Sequence, residues 1–144
     1  MTPSSTARSR PWSLFQEGNL GASGGTTWFV AVLDYTVLER PVGGAKVMRD
    51  QLLHLLAVGD RPRVHLHVVP RGIGAYPGLN GAFVLATPAE GDDVAYLDNQ
   101  LRGSIVERTP DVHWLKRQWE SVRAEAMPHG QTMNMISEAV KQWT

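Results

Sequence analysis

Leu38-Glu39-Arg40-Pro41-Val42-Gly43-Gly44, Val64-His65-Leu66-His67-Val68-Val69-Pro70, Tyr76-Pro77-Gly78-Leu79-Asn80-Gly81, Phe83-Val84-Leu85 and Val94-Ala95-Tyr96-Leu97-Asp98-Asn99 follow one another through the middle of the chain. Val64, Leu66 and Val68 alternate with His65 and His67, the period of a strand with one apolar face. Residues 81–87 and 94–98 read as two further strands, and 104–107 as another, after a turn near Arg102-Gly103. The links among them are short, so antiparallel pairing is expected, because parallel pairing needs long crossovers. Upstream of the histidine strand, Pro41 to Gly44 is a turn. Met48, Leu52, Leu55 and Leu56 then recur at i, i+4, i+7 and i+8, which places an amphipathic helix over residues 45–58. Gly59 and Pro62 stop it.

Outward from this centre, residues 28–33 read as a buried strand, and 34–40 as either its extension or a helical turn. Thr109-Pro110-Asp111 has the form of a helix start, with Val112, Leu115, Trp119, Val122 and Ala126 as its stripe. Pro128 and Gly130 break that helix. A last one carries Met133, Ile136, Val140 and Trp143 on one face. Trp28, Trp119 and Trp143 fall on expected core faces, while Trp114 lies off the stripe. Met133 and Met135 with Trp143 make either core filling or an adaptable groove. The expected fold is α+β. It is a small mixed, mainly antiparallel sheet of 4–5 strands, packed by one helix after the first strand and two C-terminal helices. Residues 27–144 are expected to form a single domain and residues 1–26 a flexible Gly/Ser-rich arm, in which Trp12, Leu14 and Phe15 are the apolar exceptions.

Composition narrows the function classes. The 144 residues include 42% hydrophobic ones, enough for a sizeable core, and fourteen basic side chains balance fourteen acidic ones. That balance disfavours direct nucleic-acid binding, which uses a basic excess against phosphate. The absence of cysteine excludes disulfides, thiolate metal sites and thiol nucleophiles. No apolar run approaches the ~20 residues that span a bilayer, and no secretory signal opens the chain. A cytoplasmic protein without membrane contact is therefore expected.

Several residues could carry chemistry. His65 and His67 share one strand face, where a metal would need further ligands; Asp98 and His113 are the available partners, and nothing in the sequence brings them near, so no metal is assigned. The Pro70–Gly78 loop has Gly72 and Gly74 at G-x-G spacing, but Pro77 stands where a third glycine belongs and no helix follows, so the dinucleotide fingerprint fails. No cofactor is implied. Arg71 and Tyr76 in that loop, with Asn80 at its end, can contact an anion or aromatic ligand. Asp34, Tyr35, Glu39, Tyr96 and Asp98 supply acid and phenol groups near strand ends, where solvated or capping roles compete with acid–base ones. A serine-hydrolase elbow is absent.

The chain also resembles a known family. The resemblance runs from about Thr27 to Val140. It rests on Val32-Leu33-Asp34, on Leu38 with Arg40-Pro41-Val42-Gly43-Gly44, and on Val47-Met48-Arg49-Asp50-Gln51-Leu52. It continues through Pro62, Val64, Val68-Val69-Pro70, Gly74, Pro77-Gly78-Leu79-Asn80-Gly81, Phe83, Val94, Tyr96, Gly103, and Glu107 with Pro110-Asp111-Val112. In these the chain is similar to the DUF5753 domain of Scr1-like, Xre-type actinobacterial transcriptional regulators. The resemblance implies an effector or partner-binding domain. Family members normally place a DNA-binding helix-turn-helix and additional helices ahead of the matched part; this sequence shows neither, so DNA binding does not carry over. The expectation is a ligand- or partner-binding domain of regulator origin, taking a small molecule, a partner regulator or a second copy. The alternative is a repurposed enzyme of secondary metabolism, such as a cyclase or isomerase. If it is an enzyme, His65, His67, Tyr96 and Asp98 are its expected catalytic residues on the open face of the sheet. Arg71, Tyr76, Asn80, Asp34 and Tyr35 are the expected ligand-binding residues.

Overall fold

The structure, a computed structural model, describes residues 27–144. The arm with Trp12, Leu14 and Phe15 lies outside the described residues. Residues 27–74 together with 125–144 form one compact unit, and residues 75–124 form a second.

In the first unit, strands β1 (Phe29–Asp34) and β2 (Val64–Val69) pair in parallel, from Phe29 opposite Val64 to Asp34 opposite Val69. Between them run a short 3-10 turn (Tyr35–Leu38) and helix α1 (Ala45–Gly59). Asp34 settles the ambiguity of residues 34–40. Its carboxylate accepts from the Thr36 N–H at 3.0 Å and the Thr36 hydroxyl at 2.6 Å, capping a turn in place of a longer strand. Gly43 and Gly44 adopt φ of +77° and +91°, a region that favours glycine, and a Cβ on Gly43 would sit 2.9 Å from Val47 Cγ1. The chain can therefore reverse tightly into α1. Helix α3 (His129–Gln142) completes the unit, with Pro128 as its N-cap and Gly130 inside its first turn.

Alternation along β2 sets this core. Val64, Leu66 and Val68 are buried with Leu38, Leu52, Val58, Ile136 and Ala139. Partly buried Phe29, Ala31 and Leu33 of β1 pack against the cluster from the same face. Val30, Val32, His65 and His67 occupy the other face.

The second unit holds β3 (Phe83–Ala86), β4 (Val94–Asp98) and β5 (Gly103–Val106) in an antiparallel sheet of that order, with helix α2 (Thr109–Ala124). Asn99 closes the β4–β5 hairpin, its Oδ1 accepting the N–H groups of Leu101 and Arg102 at 2.8 and 3.0 Å. Ala95, 1% exposed, shares a sheet face with Leu85 and Val106, while Tyr96 lies between Val84 and Ile105 on the face where Ile105 is 70% exposed. Lys116 of α2 pairs with Asp93, and this hydrogen bond, aided by one from Thr87, holds the Asp93 carboxyl below its ordinary 3.8. A depressed carboxylate adds stability above the unfolded-state value and loses it as pH falls through the lower folded value. Lys116→Met should therefore lower stability near neutral pH yet flatten its decline below about pH 4. Thermal melts of both proteins across that range check this, and parallel declines would contradict it.

Among the described residues the fold is thus α+β with three α-helices, but in place of the expected single sheet there are two. The reason lies in the connections. The helix-bearing segment between β1 and β2 is a crossover long enough for parallel pairing, whereas short links join β3, β4 and β5 as a meander. Trp28 also departs from expectation. It precedes β1 and is 66% exposed, so it is no core residue. No helix among the described residues is long and apolar enough to cross a membrane.

Candidate functional site

The free edge of β2 is closed by the chain segment that enters α3. Strand β2 faces β1 on one side, leaving the N–H groups of Leu66 and Val68 to point away from it. His129 Nδ1 accepts the first at 3.0 Å and the Thr132 hydroxyl accepts the second at 2.9 Å. Val68 C=O accepts from the Met127 N–H at 2.9 Å. His67 Nδ1 lies 2.8 Å from the Met127 carbonyl, which only accepts, so this ring nitrogen carries the proton and donates. His129 has the reverse arrangement, with its acceptor nitrogen on the Leu66 amide. The His65 ring stands 5.7 Å from Trp28 and 5.6 Å edge-on from His129. The two histidines of β2 thus share a face, as strand parity requires, and His67 serves to fasten the α3 entry.

A cavity of about 380 Å³ opens at the C-terminal end of β2. Three segments build it: the capped turn brings Tyr35, Leu38 and Glu39; the strand exit brings Pro70 and Arg71; the outer half of α3 brings Met135, Glu138, Ala139 and Gln142. Leu38 and Ala139, 3% and 6% exposed, form its floor. The Arg71 guanidinium pairs with the Glu39 carboxylate and lies 5.2 Å from the centroid of the Tyr35 ring. At 70% exposure of the Arg71 side chain that pair adds little to stability; it brings the three polar side chains together. Trp143 Nε1 donates to the Leu38 carbonyl at 2.9 Å, tying the end of α3 to the turn on the opposite wall.

Of the expected ligand-binding residues, Tyr35 and Arg71 come together in this cavity. Asp34 adjoins it as the cap that shapes the turn. Tyr76 and Asn80 belong to the second unit, where Tyr76 precedes the Pro77–Asn80 3-10 turn and its ring lies against Gly78. The expected catalytic residues divide between the two sheets, His65 and His67 on β2 and Tyr96 and Asp98 on β4. The single sheet face that was to align all four is not formed. Tyr96 lies where a Cβ on Gly103 would collide with its ring, and loss of hydration there, with the Asp98 charge, raises its phenol pKa above 10.0. Among the described residues no group of three or more histidine, aspartate or glutamate side chains could hold a metal ion. Sequence reading missed Met127, His129 and Thr132 at the strand edge, and Glu138, Ala139 and Gln142 in the cavity. Only Met135, read as core or adaptable groove, carried a signal.

A family model described as "Domain of unknown function (DUF5753)" matches residues 19–138. The chain belongs to the DUF5753 family. Every cavity residue from Tyr35 to Glu138 lies inside the matched part of this DUF5753 chain, with Ala139 and Gln142 just beyond it. No curated protein and no solved structure matches it.

Proposed function

We propose that this DUF5753 chain is a small-molecule-binding domain of regulator origin, and that the cavity at the end of β2 is its ligand site. The observation that supports this reading is the joining of Tyr35, Glu39 and Arg71 over an apolar floor of Leu38 and Ala139, with Met135 beside them. Concave, mostly apolar sites with a few fixed polar groups are how proteins take small ligands, and this volume falls at the small end of the usual ~300–1,000 Å³. The polar groups already lie together, so a ligand would meet all three at one place in the cavity. The wall formed by α3 is tied to the turn through Trp143, so a ligand that parts them would move the end of that helix. Such a shift could be read by a second copy of the chain or by a partner regulator, the partners this reading assigns.

The test is a thermal-shift screen with fragments of mixed charge. A ligand present at 100 times its Kd stabilises the folded state by about 2.7 kcal/mol. Hits are expected, and Gln142→Trp, which crowds the exposed mouth, should abolish their shifts. Shifts that persist unchanged in that variant would place the ligands elsewhere and end the proposal.

A further inference from the structure

The ionic groups around the cavity also indicate the class of ligand. Among the described residues, Glu39, Arg71 and Glu138 are the charged side chains of its lining. Arg71 pairs with Glu39 and lies beside the Tyr35 ring, which offsets one of the two carboxylates. The partner of Glu138 is Lys141, 2.8 Å away on the outer surface of α3, with both side chains more than two-thirds exposed. A pair in that setting is weak and readily exchanged. The unbalanced charge facing the cavity is therefore carboxylate. An anionic head group would have to share Arg71 with Glu39 and sit near the carboxylates of both Glu39 and Glu138, whereas a cationic one meets acceptor oxygens on both glutamates.

Tyr35 decides the kind of cation. Among the described residues it is the only aromatic ring of the lining, and Arg71 already lies against it. A quaternary ammonium, which relies on aromatic faces, would find among the described residues a single ring that it must share with the Arg71 cation. A primary ammonium carries three N–H donors for carboxylate oxygens. The remaining lining, Leu38, Pro70, Met135 and Ala139, suits an apolar body, and Met135 can adjust to its shape. We infer that the site takes a primary ammonium on an apolar body, held by Glu39 and Glu138. This inference rests on the cavity being the ligand site.

Calorimetric titration of the full chain with four probes that share a phenylethyl body tests it: 2-phenylethylammonium, its N,N,N-trimethyl form, 2-phenylethanol and 3-phenylpropionate. The primary amine should bind about tenfold tighter than each of the others, a gap of about 1.4 kcal/mol. Glu138→Gln should weaken it by about tenfold. Glu39→Gln should release Arg71 and turn the preference toward 3-phenylpropionate. Circular dichroism confirms that both variants are folded. If the alcohol, the carboxylate or the trimethyl form matches the primary amine, or if Glu138→Gln leaves its affinity unchanged, the amine class is wrong while the cavity reading stands. If none of the four binds while the fragment screen yields ligands whose shifts Gln142→Trp abolishes, the amine class alone falls; if that screen also yields none, the cavity reading falls, and the inference with it.

Discussion

Ile136→Ala is expected to cost about 2–5 kcal/mol of folding stability. Ile136 is 0% exposed and belongs to the cluster in which α1, α3 and β2 meet, with Leu52, Leu66 and Val68 among its members. Shortening it removes the transfer free energy of the lost carbons. It also leaves a void that flanking elements cannot close, because α3 is fastened to β2 at its N-terminal end by His129 and Thr132. A loss of that size is a large part of the ~5–15 kcal/mol that holds a typical domain folded. Ile105→Ala supplies the contrast: on β5 and 70% exposed, it should change stability by less than about 0.5 kcal/mol. Chemical denaturation of both variants decides the matter, and an Ile136→Ala loss below that of Ile105→Ala would show that the core has been misplaced.

Thr132→Val should cost about 1–3 kcal/mol even though the two side chains have nearly the same shape. Thr132 is 0% exposed and its hydroxyl accepts the Val68 amide at 2.9 Å. Valine fills the space but offers no acceptor, so a buried backbone N–H loses its partner. Thr132→Ser keeps the oxygen and removes only a methyl group, and should be the milder change. Hydrogen exchange gives a local readout: the Val68 amide should exchange faster in Thr132→Val and stay protected in Thr132→Ser. Equal protection in the two variants would show that the hydroxyl does not close the strand edge.

How far these features could be read beforehand depends on their physics. Strand β2 was legible because burial of one face imposes a period of two, and Val64, Leu66 and Val68 display it against His65 and His67. Helix α1 was legible for the same reason at a period of 3.6. The pairing of β1 with β2 was also within reach, since a strand, a helix and a strand in succession form a crossover unit. It was overlooked because the short links downstream favoured one antiparallel sheet. The closure of the β2 edge has no period at all. His129 and Thr132 are single side chains that meet β2 only after α3 has packed, and they lie off the Met133, Ile136, Val140 and Trp143 stripe that marks the last helix. The cavity was half legible. Tyr35 and Arg71 stood out by residue type near strand ends, but Met135, Glu138 and Gln142 reach them from α3 along a face that sequence pattern alone does not single out. Trp28 shows the opposite error: an apolar run suggested core, yet its position ahead of the first strand pair leaves it exposed.

The ligand site is tested most directly by methyl NMR on protein labelled at its five methionines. Met135 lines the cavity, whereas Met48 is buried in α1 at 6% exposure. With a fragment collection spanning amines, acids and neutral compounds, binding should move the Met135 methyl signal in a saturable way and leave Met48 in place. Saturable binding that leaves Met135 unmoved, or a collection that yields no binder, would contradict the proposal that this cavity is where the domain takes its ligand.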